Sequence, residues 1–287
     1  MARVALVTGT SSGMGLHTAV GLAAQGVQVV ATLRNPAKSG LLRDAAIASG
    51  VQVDVRALDV TDAAGAQSCV DAVLDSYGQI DILVNNAGRG SVASLEQLTL
   101  DDLQAQLDVN YLGVAAMTRQ VLPHMRRAGR GRIVTVTSVG GVVGQPFADA
   151  YCGAKFAVEG LMQSLAPVVA RFGIDVSVVE PGAVASEFVA NVAGVVTPQG
   201  EPTLPDESDD DPYAEMLHSY LARTRSAFAA AQSASDAAAV IVEAAVTATP
   251  RFRWQTSPLA AGFAGLSLAD LDGGRVLGQT SAWVRQG

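Results

Sequence analysis

Cysteine is nearly absent from this chain, with only Cys69 and Cys152 among its 287 residues. The two stand far apart, without the CxxC repeat or Cys/His spacing that holds a structural metal, so neither a disulfide framework nor a zinc site is expected. Charge is scarce too: charged residues make up 16% of the chain against 49% hydrophobic. That balance supplies enough apolar surface for a core and argues against global disorder. No long run of Lys or Arg occurs and the formal net charge is −8, so the electropositive face required for nucleic acid is missing. Long hydrophobic runs are missing as well. The first apolar segment, Val4 to Val7, is too short for a signal-peptide core. The most apolar later stretch, Ala237 to Thr249, contains Glu243 and falls short of the roughly 20 residues that cross a bilayer. These absences lead to the expectation of a soluble cytoplasmic protein with no membrane and no nucleic-acid partner.

What is present is a rhythm. Short β-branched runs recur at Val4–Val7, Val27–Ala31, Val53–Ala57, Ile80–Val84, Ile133–Thr137 and Val176–Val179. Apolar residues dominate them without strict alternation, which is the pattern of strands buried on both faces. Helical spacing fills the intervals at Leu16–Ala24, Ala63–Leu74, Leu103–Met125 and Ala154–Phe172. Strand alternating with helix predicts an α/β fold: one Rossmann-like, doubly wound parallel sheet with helices on both faces, formed by residues 1–287 as a single domain. Ligands of such a sheet bind beyond the carboxyl ends of its strands. Pro167, inside the last helical segment, predicts a kink or an early helix end, since an interior proline costs about 3 kcal/mol. The rhythm breaks at about 183–220, read as a substrate-loop insertion. It holds a Pro- and acid-rich stretch over 198–212, with Glu201, Asp206, Glu207, Asp209, Asp210 and Asp211, most simply a solvated border to the pocket.

Between the first strand and first helix lies Gly9-Thr10-Ser11-Ser12-Gly13-Met14-Gly15. Each glycine there meets a separate steric need, Gly9 that of the tight turn, Gly13 that of backbone approach to a diphosphate, and Gly15 that of close helix packing. The helix start offers unpaired N–H donors to the anion. A glycine triplet alone is weak evidence, and the strand-to-helix context gives it weight. No Asp or Glu precedes Asp44, so nothing after the second strand can accept both hydroxyls of an NAD adenosine ribose. Arg34, Ser12 and Lys38 are instead available for a 2′-phosphate, which favours NADP over NAD. The competing reading makes Arg34 and Lys38 solvated loop charges. Asp59, after the third strand and followed by Val60, can accept from the adenine amino group or serve helix capping near Thr61 and Asp62.

Tyr151 and Lys155 are four residues apart at the start of a predicted helix, so both side chains fall on one face. A nearby ammonium favours phenolate, which brings a group of ordinary pKa about 10 nearer to the pH of proton exchange. The pattern Tyr-x-x-x-Lys is common by itself. Around it, however, stand Asn85-Asn86-Ala87-Gly88 after the fourth strand, Asn110 in the next helix and Ser138 at the end of the fifth strand. In this order the chain resembles the classical short-chain dehydrogenase/reductase family over residues 1 to about 190. The resemblance implies Tyr151 as general acid/base, Ser138 orienting the substrate oxygen, Lys155 also binding the nicotinamide ribose and Asn110 anchoring a relay water. It further implies that Asn86, Ala87 and Gly88 line the cofactor. Pro181, Gly182, Val184 and Ser186 would meet the carboxamide, with Ser186 where Thr is usual.

Several stretches, among them Gly15-Leu16-His17, Ala31-Thr32-Leu33-Arg34 and Tyr151-Cys152, are similar to the 17β-hydroxysteroid and retinol dehydrogenase branch. Under that resemblance Val143, Pro146, Phe147 and Phe188 are candidates for an apolar substrate wall, with plain core packing as the alternative. The implied activity is an NADP-dependent interconversion of an alcohol and a ketone or aldehyde, on a lipophilic or alicyclic small molecule, in a homo-oligomer (dimer or tetramer). A non-enzymatic NADP-binding sensor or scaffold is the main rival, countered by the intact Ser138, Tyr151 and Lys155. A sugar-nucleotide epimerase or dehydratase is a further rival, countered by the glycine spacing and the lack of a large C-terminal substrate domain. Ser138 lacks the G-x-S-x-G elbow of a hydrolase nucleophile. His17 is read as a packing or hydrogen-bonding residue, His124 and His218 as surface residues, and Cys152 as a small buried hydrophobe.

Overall fold

The computed structural model describes residues 2–185, 211–229, 231–269 and 282. Its centre is a seven-stranded sheet in which every pairing is parallel, ordered β3-β2-β1-β4-β5-β6-β9. The strands are β1 (Val4–Thr8), β2 (Gln28–Leu33), β3 (Asp54–Ala57), β4 (Ile82–Asn85), β5 (Gly131–Val136), β6 (Ile174–Glu180) and β9 (Arg253–Gln255), with β7 (Val184–Ala185) and β8 (Gln232–Ser233) forming a separate short pair. All six predicted strands are present. The seventh, Arg-Trp-Gln, has no apolar run to betray it and exists through its pairing with Val178 to Glu180.

Strand alternation divides the core in two. Val4 and Leu6 point to one face and join Val114, Met117, Val158 and Met162, while Ala5 and Val7 point to the other and join Leu16, Ala19, Leu42 and Ile241. The first face is covered by α3 (Ala63–Tyr77), α5 (Gly113–Ala128) and α6 (Asp149–Ala170). The second is covered by α1 (Gly13–Ala24), α2 (Gly40–Ala48) and α8 (Ala234–Val246). The apolar stretch from Ala237 is thus a core helix packed on α1, where Gly21 allows contact: a Cβ there would lie 2.9 Å from Val242. Among the described residues no helix is long and apolar enough to cross a membrane.

Two helix expectations change. The segment Leu103–Met125 is not one helix. It divides into α4 (Leu100–Leu107), a π-helical turn at Asp108–Leu112, and α5. Helix α4 starts on a capping box between Thr99 and Asp102. The wider π turn, a form frequent at functional sites, is the one that carries Asn110. Of the two outcomes expected at Pro167, the early helix end is not found: α6 continues to Ala170, because its apolar face stays packed through Val158, Met162 and Val169, outweighing the lost backbone bond. Beyond β7 the chain is described again from Asp211, where α7 (Ala214–Ala229) follows. The last described helix is α9 (Pro258–Leu268).

Candidate active site

The strand order reverses between β1 and β4, and the glycine turn sits there. Gly9 has φ +70°, and a Cβ on it would lie 2.7 Å from Ala87 Cα. Gly15 is tighter still, since a Cβ would fall 2.2 Å from Gly9 O and 2.3 Å from Asn86 Nδ2. Gly13 also takes positive φ, +57°. The start of α1 has no side-chain cap on its N–H groups and no acid in its first turn, which leaves Ser11, Ser12, Gly13 and Met14 presenting a helix terminus suited to an anion. This cradle fits a dinucleotide diphosphate. Asn86 fastens it: its amide donates to Thr8 O and Gly9 O, both at 2.9 Å, while Thr8 Oγ1 accepts from Asn86 N and Ala87 N. Thr8 is a contributor that sequence reasoning passed over, because a threonine closing a strand carries no special signal.

At the adenosine end, Arg34 and Lys38 are exposed just beyond β2. Asp59 is partly buried beyond β3, and its carboxyl accepts from Thr61 N at 3.0 Å and Thr61 Oγ1 at 2.7 Å. The Thr61 backbone bond holds that carboxyl below its ordinary range, and the charge of Arg34 adds to the effect. Asp62, the other capping candidate, caps α3 through Ala64 N. Val60 is buried and packs where Gly113 leaves room for it.

Four separated segments meet at the carboxyl edge of β4 and β5. Ser138 follows β5 and caps a short turn over Val139–Gly141, its Oγ accepting from Gly140 N at 2.9 Å. A Cβ on Gly140 would lie 3.3 Å from both Ser138 Oγ and Tyr151 Cε1, so the hydroxyl and the ring flank one point. Ser138 also hydrogen-bonds Tyr151. Lys155 follows one turn later on α6, with Nζ donating to Val136 O at 3.0 Å and lying 5.9 Å from the Tyr151 ring centre. A Cβ on Gly88 would lie 3.7 Å from Lys155 Nζ and 3.0 Å from Asn110 Oδ1. Asn110 is fully buried, donating to Arg89 O and Gln106 Oε1 and accepting from Arg89 N.

The expected acidification of Tyr151 by Lys155 is not found. Burial pushes the phenol above its ordinary value, with the Ser138 hydrogen bond opposing, although the ring keeps partial solvent access. The same enclosure pushes Lys155 down to about 8, opposed by the charge of Glu159. Removing water from both groups outweighs their mutual attraction at this separation. Burial likewise pushes the Cys152 thiol up to about 11, as suits a small buried hydrophobe.

On the substrate side, Phe147 is buried against Leu217 and Tyr220 of α7, its ring centre 5.6 Å from that of Tyr220. Pro146 is partly buried beside it. Val143 is fully buried against Val142, Phe263 and Ala264, hence part of the packing onto α9. Sequence reasoning missed Tyr220 and Leu217, because α7 touches this site only through the tertiary fold. Pro181 O accepts from Val139 N at 3.0 Å, Gly182 packs on Ala260, and Val184 is buried. The expectations for Ser186, Phe188 and the acids from Glu201 to Asp210 fall outside the described residues. His17 is exposed on α1, where the apolar face of that helix turns it outward. A cavity of about 210 Å3 lined by Gln163, Ile174, Arg251 and Phe252 sits at the amino end of β6, on the edge of the sheet away from Tyr151.

The doubly wound sheet and the glycine cradle at its switch point are those of a dinucleotide-binding α/β protein, and a hydroxyl, a phenol and an ammonium lie together beside the cradle. Sequence comparison agrees: the short chain dehydrogenase family profile matches residues 3–196, and the chain belongs to that family of nicotinamide-dependent oxidoreductases acting on alcohol and ketone groups. It is 39% identical over 265 residues to 17-beta-hydroxysteroid dehydrogenase type 1 of Homo sapiens, covering 90% of this chain and 78% of that one. It is also 39% identical over 260 residues to retinol dehydrogenase 8 of Bos taurus, covering 89% and 81%. Among solved structures it is similar to a short-chain dehydrogenase from Streptomyces avermitilis, with TM-score 0.77, 30% identity and 98% and 97% coverage. Others are a short chain dehydrogenase/reductase from Burkholderia phymatum in complex with NAD, with TM-score 0.77, 27% identity and 94% of each chain, and an actinorhodin polyketide ketoreductase variant with NADPH, with TM-score 0.73, 29% identity and 88% and 95% coverage.

Proposed function

We propose that this chain is an NADP-dependent oxidoreductase that interconverts an alcohol and a ketone or aldehyde on a lipophilic or alicyclic substrate, with Tyr151 exchanging the proton. The observation that supports this best is the convergence of Ser138 Oγ and the Tyr151 ring on either side of Gly140, with Lys155 Nζ one turn away. The dinucleotide, when bound, supplies or takes up the hydride. Gly9, Ser11, Gly13 and Gly15 would hold its diphosphate, Ser12 and Arg34 its 2′-phosphate, and Asp59 its adenine. Lys155 would bind the nicotinamide ribose, with Pro181, Gly182, Val184 and Ser186 at the carboxamide. The exposed Arg34 and the lack of any acid before Asp44 favour NADP.

The residues then divide the work of proton transfer. Ser138 donates to the substrate oxygen and fixes its direction. Tyr151, kept protonated by its burial, gives its proton to the oxygen as negative charge develops there. Lys155, an ammonium at neutral pH, stabilises the phenolate left behind. Asn110 holds the water that returns the proton. The apolar group of Phe147, Leu217 and Tyr220 suits a lipophilic substrate, as do the hydroxysteroid and retinol dehydrogenases among the relatives. The deciding experiment is NADPH oxidation against a panel of cyclic, steroidal and retinoid carbonyls. Tyr151→Phe should lower kcat about 10²- to 10⁴-fold, the usual contribution of a positioned acid, with little change in NADPH affinity. Turnover undiminished in Tyr151→Phe would refute the assignment.

A further inference from the structure

Lys155 is only 5% exposed, and its Nζ donates to the carbonyl of Val136 at 3.0 Å. A carbonyl supplies a dipole and no countercharge, and an ammonium enclosed without a countercharge is costly. One turn further along α6 stands Glu159, 4% exposed, at the i, i+4 spacing that puts both side chains on one face. Glu159 Oε2 accepts from Arg253 Nη1 at 2.8 Å, and the same Nη1 donates to Oε1 of Glu180, a fully buried residue closing β6. Gln255 Nε2 donates to the other Glu180 oxygen at 2.8 Å. Two carboxylates thus share one guanidinium, which leaves the trio with a net charge of −1. Lys155 brings the buried group to neutrality.

Of the trio, Glu159 is the member on the helix of Lys155 and the one whose charge acts on it. Glu159 Oε1 is buried beside the Thr137 hydroxyl, but that hydroxyl already donates to Val179 O at 3.1 Å, so the oxygen receives no donor of its own. The stem of Glu159 packs beneath the Ser138 turn: a Cβ on Gly141 would lie 3.0 Å from Glu159 Cγ. The groups around Lys155 from other elements, Gly88, Asn110 and the Val136 carbonyl, carry no formal charge. On α6 its neighbour in the other direction is the neutral phenol of Tyr151.

We propose that Glu159 is a positioning residue for the redox site: with Arg253 and Glu180 it forms a buried anionic cluster that holds Lys155 as an ammonium. The catalytic meaning of this cluster rests on the proposed function, whereas the charge coupling itself does not. Burial and the charge of Glu180 raise the Glu159 carboxyl from its usual range, while Arg253 lowers it. The charge of Glu159 in turn raises Lys155 against its desolvation.

The chain contains two lysines, Lys38 and Lys155, so a sample labelled with [13Cε]lysine gives two NMR signals, and Lys38→Arg leaves that of Lys155 alone. The wild-type midpoint is expected near about 8. Glu159→Gln, which keeps the shape and removes the charge, should lower it by about one pH unit or more, the usual effect of losing an adjacent opposite charge. Glu159→Asp should stay close to wild type. Should Glu159→Gln not fold, Glu180→Gln leaves the trio neutral and carries the same expectation. An unchanged midpoint in the glutamine variant overturns the proposal, and so does an equal displacement in the glutamine and aspartate variants, which would signify a packing role only. The titration uses no substrate, so a wild type that turned over no carbonyl would count against the proposed function and not against the coupling.

Discussion

Lys155 Nζ stands 5.9 Å from the centre of the Tyr151 ring, one turn along α6, and the two share an enclosure that disfavours the charged form of each. The phenol holds its proton more tightly and so stands in the acid form, and the ammonium becomes the more easily neutralised of the two. Carbonyl reduction, which needs both protons in place, should therefore lose activity as pH rises through the Lys155 midpoint.

The same shift has a consequence for stability. Lys155 titrates at about 8 when folded and at its ordinary 10.5 when unfolded, so between those values the unfolded chain binds more protons and stability rises with pH. Below pH 8 both states are charged and the burial cost is present in full. The unfolding free energy of wild type minus that of Lys155→Met should thus increase from pH 8 to 10.5, by about 3 kcal/mol in total. Taking the difference cancels the opposing titrations of Cys152 and Tyr220, which burial moves up to about 11 and about 12. Urea melts at half-unit pH intervals measure it, and a flat difference would show that Lys155 is not desolvated.

Gly15→Ala places a methyl group 2.2 Å from Gly9 O, a backbone atom that cannot swing aside. Overpacking of this kind costs about 1–3 kcal/mol, and the strain falls on the cradle itself. NADPH binding, followed by fluorescence titration, should weaken more than tenfold, whereas Gly160→Ala, where no atom lies within 4 Å of the added Cβ, should leave it unchanged.

Arg34→Asp tests cofactor choice. A hydrogen bond to a charged group contributes about 1.5–3 kcal/mol, so NADPH affinity should fall roughly 10- to 150-fold, with NADH affinity unchanged or improved. Equal losses for the two cofactors would mean that Arg34 is a solvated loop charge.

Phe147 is the one non-glycine residue with positive φ among the described residues, at +59°, and it is held there by its ring packing on Leu217 and Tyr220. Phe147→Ala keeps the unfavourable backbone and removes the packing, so it should destabilise by about 3–5 kcal/mol. It should also release α7, read as faster proteolysis within residues 214–224. Protection equal to wild type would show that α7 does not depend on this contact.

The alternation of strand and helix, the glycine turn, and the order Asn86, Asn110, Ser138, Tyr151, Lys155 were all legible from the chain itself, since each is written in short-range spacing. Val4 to Thr8 can be little other than a buried strand, and four residues of helix bring Tyr151 and Lys155 to one face. The division of the Leu103–Met125 helix at Asn110 left no such trace, nor did strand β9, whose three residues become a strand only against β6.

Ionisation was decided by the tertiary structure alone. Spacing put an ammonium beside a phenol and pointed to a more acidic tyrosine. Burial, which depends on everything packed around α6, reversed that direction. Glu159 and Arg253 are 94 residues apart, and no periodicity links them: their contact is a property of the closed sheet, where a charge withdrawn from water must find its partner in another part of the chain.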